Sequence, residues 1–235
     1  MSKPQVQFQD LGRIRYKKAW DYQTELHQGI IARKLENRKL PEEDRIPTPN
    51  YLLFCEHDPV FTLGKSGHES NLLISRELLS NKGIDFHEIN RGGDITYHGP
   101  GQLTGYPIFD LENFFTDIGK YLRYMEESII QVLALYGLKG ERIDGLTGVW
   151  LDAAHPAKAR KIAAIGVHSS RWVTMHGFGF NITADLSPFS LIVPCGITDK
   201  GVTSLHLEVE GIDFITVKNQ VKAAFEQQYQ FDYLP

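Results

Sequence analysis

The stretch Ile192-Val193-Pro194-Cys195-Gly196-Ile197 puts a thiol between a proline and a glycine, outside any periodic pattern. A cysteine in such a turn can be exposed. The glycine leaves room for a carbonyl substrate beside the sulfur and for backbone N–H groups to face a developing oxyanion. Upstream, Lys161 opens the run Ile162-Ala163-Ala164-Ile165-Gly166, which has the composition of a buried strand. Desolvation there favours the neutral amine and a nearby thiolate favours the ammonium, so such a pair could exchange a proton near neutrality. Each residue also has a plainer reading: a lone cysteine is commonly inert packing, and a lysine commonly ends a strand in solvent. Cys55, the other cysteine, closes the apolar run from Tyr51 to Phe54 beside Glu56 and reads as core.

The densest punctuation in the chain is Arg91-Gly92-Gly93-Asp94-Ile95-Thr96-Tyr97-His98-Gly99-Pro100-Gly101-Gln102-Leu103. Its glycines let backbone approach a ligand closely, although a hairpin with a glycine-rich turn would have the same composition. It lacks the GxxxxGK[ST] spacing of a phosphate loop. The nine histidines show neither HExxH nor a CxxC partner, so no metal site is expected. A Cys-His dyad using His98 or His176 stays open, without protease-like flanking sequence.

With 42% hydrophobic and 23% charged side chains, the 235 residues read as one globular domain over 1–235, without repeats or a flexible linker. A net charge of −4 argues against general nucleic-acid binding. Two cysteines make no disulfide framework, and neither a membrane-length apolar stretch nor a signal-peptide core is evident, so a cytoplasmic protein is expected.

Helical periodicity runs through Ala19, Tyr22, Leu26 and Ile30, through Leu122, Met125, Ile129, Val132 and Tyr136, and through Phe214, Val217, Val221 and Phe225. A shorter helix is predicted over 75–82, capped by Ser75 and ended at Gly83. Strands are predicted at 51–55, 84–89, 95–98, 103–109, 149–151, 162–167 and 178–182. The short turn 98–102 suits a hairpin better than a regular βαβ alternation, and the whole reads as α+β: a mixed sheet with packed helices. Segments 37–50 and 153–160 read as surface loops.

Taken together, the block from Arg91 to Gln102, Lys161 to Gly166, Trp172-Val173-Thr174-Met175-His176-Gly177-Phe178 and Pro194 to Ile197 closely resemble the octanoyltransferase family that initiates lipoate assembly. The stretch His57-Asp58-Pro59-Val60-Phe61-Thr62-Leu63-Gly64-Lys65 is similar to that family's first signature, and the blocks keep family order across 51–205. The resemblance implies a biotin/lipoate protein ligase fold whose sheet cradles the acyl chain. It implies transfer of octanoyl from octanoyl-acyl carrier protein to a lysine of lipoyl domains, those of 2-oxoacid dehydrogenases and the glycine cleavage H protein, with no metal or nucleotide cofactor. Cys195 matches the acyl-accepting cysteine and Lys161 its acid/base partner. Arg91, Gly92, Gly93, Asp94, Ile95, Thr96, Tyr97, His98, Ala164, Ile165, Gly166, Gly177, Phe178 and Gly179 match the substrate-binding segments. His98 is expected to donate to the substrate carbonyl, and Lys65 and Arg171 are candidate cations for docking an acidic carrier.

Gly179-Phe180 stands where the family often has Ala-Leu, and the two surface loops look long, which bears on chain length and docking. An ATP-using lipoate or biotin ligase would not require Cys195. A cysteine amidotransferase would differ in its donor, and a non-enzymatic carrier-binding module would need no paired lysine and thiol.

Overall fold

A computed structural model describes residues 3–193 and 200–235. Strands β1 (Gln5–Ile14), β2 (Tyr51–His57), β6 (Gln102–Ile108), β7 (Glu141–Ile143), β8 (Leu146–Leu151), β9 (Arg160–Ser170), β10 (Val173–Asn181), β11 (Gly201–Val202) and β12 (Asp232–Tyr233) form one mixed sheet. Its order is β12-β1-β2-β6-β10-β9-β8-β7, with β11 added to β9. A second sheet has β3 (Val60–Leu63) between β4 (Asp85–Glu88) and β5 (Ile95–His98).

The central strands are buried on both faces, so they read as apolar runs, while the period of two still sorts their side chains. Leu52 and Phe54 of β2 join Leu103, Phe178 and Phe180 beneath Met125, Ile129 and Val132 of α3 (Ile118–Leu135) and Val221 and Phe225 of α5 (Phe214–Tyr229). Leu53 and Cys55, on the opposite face, pack with Tyr106, Ile108 and Val173 against Ala19 and Ile30 of α1 (Tyr16–Asn37). The short helix α2 (Arg76–Asn81) adds Leu79 to the core of the small sheet, and α4 (Leu205–Glu208) buries Leu205 in the main core.

The local signals hold where a side chain can satisfy a helix end. Ser75 Oγ accepts from Leu78 N–H at 3.3 Å and Gly83 follows at φ +69°, as the sequence predicts. Asp117 and Asp213 cap α3 and α5 in the same manner.

Two expectations change. The turn 98–102 is not a hairpin: β5 pairs with β3, whereas β6 pairs with β2 and β10, so this turn hands the chain from one sheet to the other. Gly101 (φ +78°) makes the crossing possible, because a Cβ there would lie 2.5 Å from Thr183 O, and its carbonyl accepts from Ile182 and Thr183 N–H. The second change concerns β1 and β3, which the sequence reading leaves without strands. The parallel pairs β1–β2, joined through α1, and β3–β4, joined through α2, add two crossover units to the antiparallel core. The first residues of β1, Gln5-Val6-Gln7-Phe8-Gln9, alternate polar and apolar with the period of a strand, a signal the sequence reading passes over.

At the C-terminal end of α1, Lys34 Nζ bonds Asp110 Oδ1 at 2.5 Å with side chains only 5% and 3% exposed. Asp110 Oδ2 accepts from Thr48 Oγ1 at 2.8 Å. Breaking one side of such a pair strands a buried charge, so Lys34→Met should cost about 3–5 kcal/mol in urea unfolding, and Lys34→Met/Asp110→Asn should recover most of it. Equal stabilities for the two variants would show that the pair is not coupled.

Candidate active site

Residues 91–94 lead from β4 into β5 and lie across β9. Gly92 N–H donates to Val167 O at 2.9 Å. This approach requires glycine on the opposite side, since a Cβ on Gly166 would sit 2.6 Å from Arg91 Nη1 and 2.7 Å from Gly92 O. Gly166 pairs with Gly177 across β9–β10, and Ala164 pairs with Gly179. A Cβ on Gly179 would meet Gln102 Oε1 at 2.7 Å. The predicted glycine and alanine positions therefore form one continuous small-residue surface where the two sheets meet.

Three adjoining cavities follow this surface, and all are lined by Thr96 and Ala164. The first is mainly apolar and includes Trp150, Lys161, Phe189 and Gly179. The second is less apolar, with His98, Thr104, Tyr106, His176, Gly177 and Phe178. The third opens between the Gly92–Gly93 loop, Ile95, Ile165 and Leu122 of α3, and Lys161 borders it too. Lys161 is thus common to the first and third.

The second residue of β9, Lys161, is held through its backbone by Thr203 N–H, which donates to its carbonyl at 2.9 Å, and by pairing with Val202. Its Nζ lies 4.6 Å from the centroid of the Trp150 ring, a cation–π arrangement. Trp150 is buried and its indole N–H has no hydrogen-bond partner among the described residues. Cys195 lies outside the described residues, together with Pro194, Gly196 and Ile197; Lys200, where description resumes, lines the first cavity. Cys55 is buried in the α1-side core, where desolvation first, then Asp10 and Glu56, pushes its thiol pKa up.

Not every predicted contact faces the cavities. Arg91 folds back to donate to Gly92 O at 2.8 Å and Asp94 O at 2.6 Å, bracing its own loop while lining two of them. Asp94 Oδ1 accepts from Ile95 N–H, and its other oxygen accepts from Asn71 Nδ2, so it orders the neighbouring loop. Tyr97 points away, into the small sheet's core against Phe61 and Phe189. Lys65 is close enough to depress the pKa of His168, behind burial as the larger cause, and Arg171 occupies the β9–β10 turn at φ +52°.

His98 changes role. Its Nδ1 is 2.6 Å from Gln102 Oε1. Gln102 Nε2 donates to Tyr97 O at 3.1 Å and to Asn181 Oδ1 at 2.9 Å, and Asn181 Nδ2 donates to Thr203 O at 3.0 Å. The chain of amides fixes Gln102 Oε1 as an acceptor, so the His98 proton resides on Nδ1 and Nε2 carries a lone pair. Burial, with His57 as the next cause, pushes the His98 pKa down to about 3. The ring is therefore neutral at physiological pH and cannot donate from Nε2, contrary to the expected carbonyl donor.

Two neighbours are also neutral. His57 donates from Nδ1 to Ile14 O at 2.8 Å and accepts from Tyr106 O–H at 2.6 Å, and burial lowers its pKa to about 4. His176 sits at φ +63°, unusual for a residue with a Cβ, with Nε2 2.8 Å from Asn90 Oδ1. Burial and then Arg91 lower its pKa to about 3. Sequence reading misses Trp150, Thr104, Asn181 and Gly148 as site residues. The one local signal is Gly148-Val149-Trp150, where alternation puts glycine and indole on the same strand face. Among the described residues, no group of three His, Cys, Asp or Glu side chains could hold a metal ion, and no helix is long and apolar enough to cross a membrane.

The family model of the lipoyl protein ligase A/B catalytic domain matches residues 16–226, which defines the class of protein. A bipartite lipoate protein ligase from Thermoplasma acidophilum shares the fold at a TM-score of 0.68 and 17% identity, with 100% of this chain and 86% of that one covered. A lipoate-protein ligase A bound with ATP aligns at a TM-score of 0.66 and 16% identity, covering 99% and 87%. Sequence narrows the class. The octanoyltransferase of Cytophaga hutchinsonii is 59% identical over 204 residues, 87% of this chain and 84% of its own. That of Flavobacterium johnsoniae is 58% identical over 218 residues, 92% and 93% respectively. The chain belongs to the octanoyltransferase family of acyltransferases.

Three buried neutral histidines have a consequence for acid stability. Their folded pKa values lie below the unfolded value of about 6.5, so the unfolded chain binds more protons as the pH drops below that value. Stability from these groups is complete above about pH 6.5 and is lost on acidification towards pH 4, by about 1.4 kcal/mol per pH unit for each. Urea midpoints should fall steeply between pH 6.5 and 5, before most carboxylates protonate. A flat midpoint across that window would mean the histidines are charged in the folded state.

Proposed function

We propose that this protein transfers an octanoyl group from octanoyl-acyl carrier protein to the attachment lysine of lipoyl domains, through a thioester on Cys195 with Lys161 as acid and base. The reading rests on family membership for the acyl group. For the chemistry it is supported by the setting of Lys161, a lysine held over an indole where an apolar cavity and a glycine-lined one meet. In the sequence, Cys195 follows Phe189 and precedes Lys200, both of which border the cavity that Lys161 lines.

In the first half-reaction neutral Lys161 takes the Cys195 proton, and the thiolate attacks the carbonyl carbon of the donor thioester. The bond to the carrier sulfur breaks, and the Lys161 ammonium returns the proton to that leaving thiolate. In the second, the amine of the lipoyl-domain lysine attacks the Cys195 thioester and gives a proton to Lys161. Collapse expels the Cys195 thiolate, which is reprotonated from Lys161. The donor thioester already stores the activation that a ligase takes from nucleotide. The glycine-faced surface leaves space beside the cavity for an alkyl chain.

Incubation with octanoyl carrier and no acceptor should raise the intact mass by one octanoyl group, mapped to Cys195, absent from Cys55 and removed by hydroxylamine. Cys195→Ala should abolish the adduct, and Lys161→Ala should slow both half-reactions by roughly 10²–10⁴-fold while the fold persists. Transfer should proceed without ATP. A Cys195→Ala variant with wild-type turnover would end the thioester reading, and activity only with ATP and free octanoate would make the protein a ligase.

A further inference from the structure

On α3, Glu126 borders none of the three cavities that make up the site, and its side chain is fully buried. Its two carboxylate oxygens are engaged separately. Oε2 accepts from Arg142 Nε at 2.8 Å and lies 2.8 Å from Arg123 Nη1. Oε1 accepts from the backbone N–H of Gly148 at 2.9 Å. Gly148 belongs to β8, at φ +130°, just ahead of the one-residue β8–β9 register shift between Val149 and Trp150. Its N–H is turned from the ladder towards α3, and the carboxylate satisfies it there.

The opposite side of Gly148 supports Lys161. A Cβ on Gly148 would lie 3.3 Å from Lys161 Cε, 3.5 Å from its Cδ and 2.7 Å from Ala163 O, so the lysine stem passes directly over the bare Cα. Two residues along β8 on the same face, Trp150 holds the lysine Nζ over its ring and is paired with Lys161 across the ladder. The register shift places Ile162 as the extra residue and lets Lys161 face Trp150. The strand thus offers a groove made of a glycine and an indole, and the height of that groove is set by the Gly148 backbone.

We propose that Glu126 is a positioning residue for Lys161, acting through the Gly148 N–H to hold β8 where its glycine and indole seat the lysine; this rests on the role proposed above for Lys161. Two arginines draw Glu126 Oε2 and leave Oε1 to the strand. A carboxylate that served only to balance Arg123 and Arg142 would have no need of the Gly148 contact, and both arginines reach solvent.

The two roles separate on substitution. Glu126→Gln and Glu126→Ala both remove the charge, but only glutamine keeps a carbonyl acceptor for Gly148 N–H. Turnover should fall about tenfold to a hundredfold in Glu126→Ala with KM for octanoyl carrier within about twofold, and Glu126→Gln should retain most of the wild-type rate. The position of Lys161 is read independently by limited acetylation with an N-hydroxysuccinimide ester. Peptide mapping would follow Lys161 relative to Lys139, whose side chain is 84% exposed. Labelling of Lys161 should change severalfold in Glu126→Ala and in Gly148→Ala, which keeps the carboxylate but crowds the lysine stem. Val221→Ala, a cavity in the α5 core, provides the control for general destabilisation. Equal loss in the glutamine and alanine variants, or wild-type Lys161 labelling in a folded Glu126→Ala, would overturn the proposal. Should Glu126→Ala not fold, Gly148→Ala decides: unchanged Lys161 labelling there overturns it. Full activity in Lys161→Ala would remove the proposed catalytic role, while the labelling comparison would still report whether Glu126 positions the lysine.

Discussion

Two sheets come together here along a line where neither can afford a side chain. The loop 91–93 is bonded to the β9 backbone through Gly92 N–H and Val167 O, and Gly166 lies beneath Arg91 and the Gly92 carbonyl. Across the neighbouring strands, Gly177 and Gly179 continue the bare surface, with a Cβ on Gly177 meeting Gly105 O at 2.1 Å. Backbone contact at this distance leaves a narrow cleft with fixed walls. The cavities, the seat of Lys161 and the direction of the Arg91 loop all follow from that geometry.

A buried polar group left unpaired costs a few kcal/mol, on the order of 1–3. The chain from Thr203 O through Asn181 and Gln102 to His98 avoids this cost. It also ties the strand carrying Lys161 to the strand carrying His98, since Thr203 N–H bonds the Lys161 carbonyl. Because each amide has both ends engaged, the proton of His98 is assigned by a residue of the chain 105 positions away. The interior favours neutral imidazole throughout, as His57 and His176 also show.

Among the described residues, the buried charges Lys34, Asp110 and Glu126 are all paired, and their positions are informative. Lys34 and Asp110 join the end of α1 to the segment after β6. Glu126 joins α3 to β8 and reaches the strand rather than the cavity. Both pairs connect a helix to the sheet at points where hydrophobic packing alone would allow sliding, since apolar contacts carry little directional preference.

The sequence by itself determined the elements whose signals are local. The apolar spacing of α3 and α5, the Ser75 cap with Gly83, and the strand 95–98 were legible because they depend on neighbours a few residues apart. The small-residue positions Gly92, Gly166, Gly177 and Gly179 were legible as well. What only the tertiary structure decided was partnership. It set which strands β5 and β6 pair with, so that the turn 98–102 crosses between sheets, and it turned Tyr97 into the core. It assigned the His98 proton and laid Lys161 over Gly148 and Trp150. The physical reason is the same in each case: pairing energy, hydrogen-bond satisfaction and steric room depend on residues distant in the chain, and no local pattern encodes which of them will be brought together.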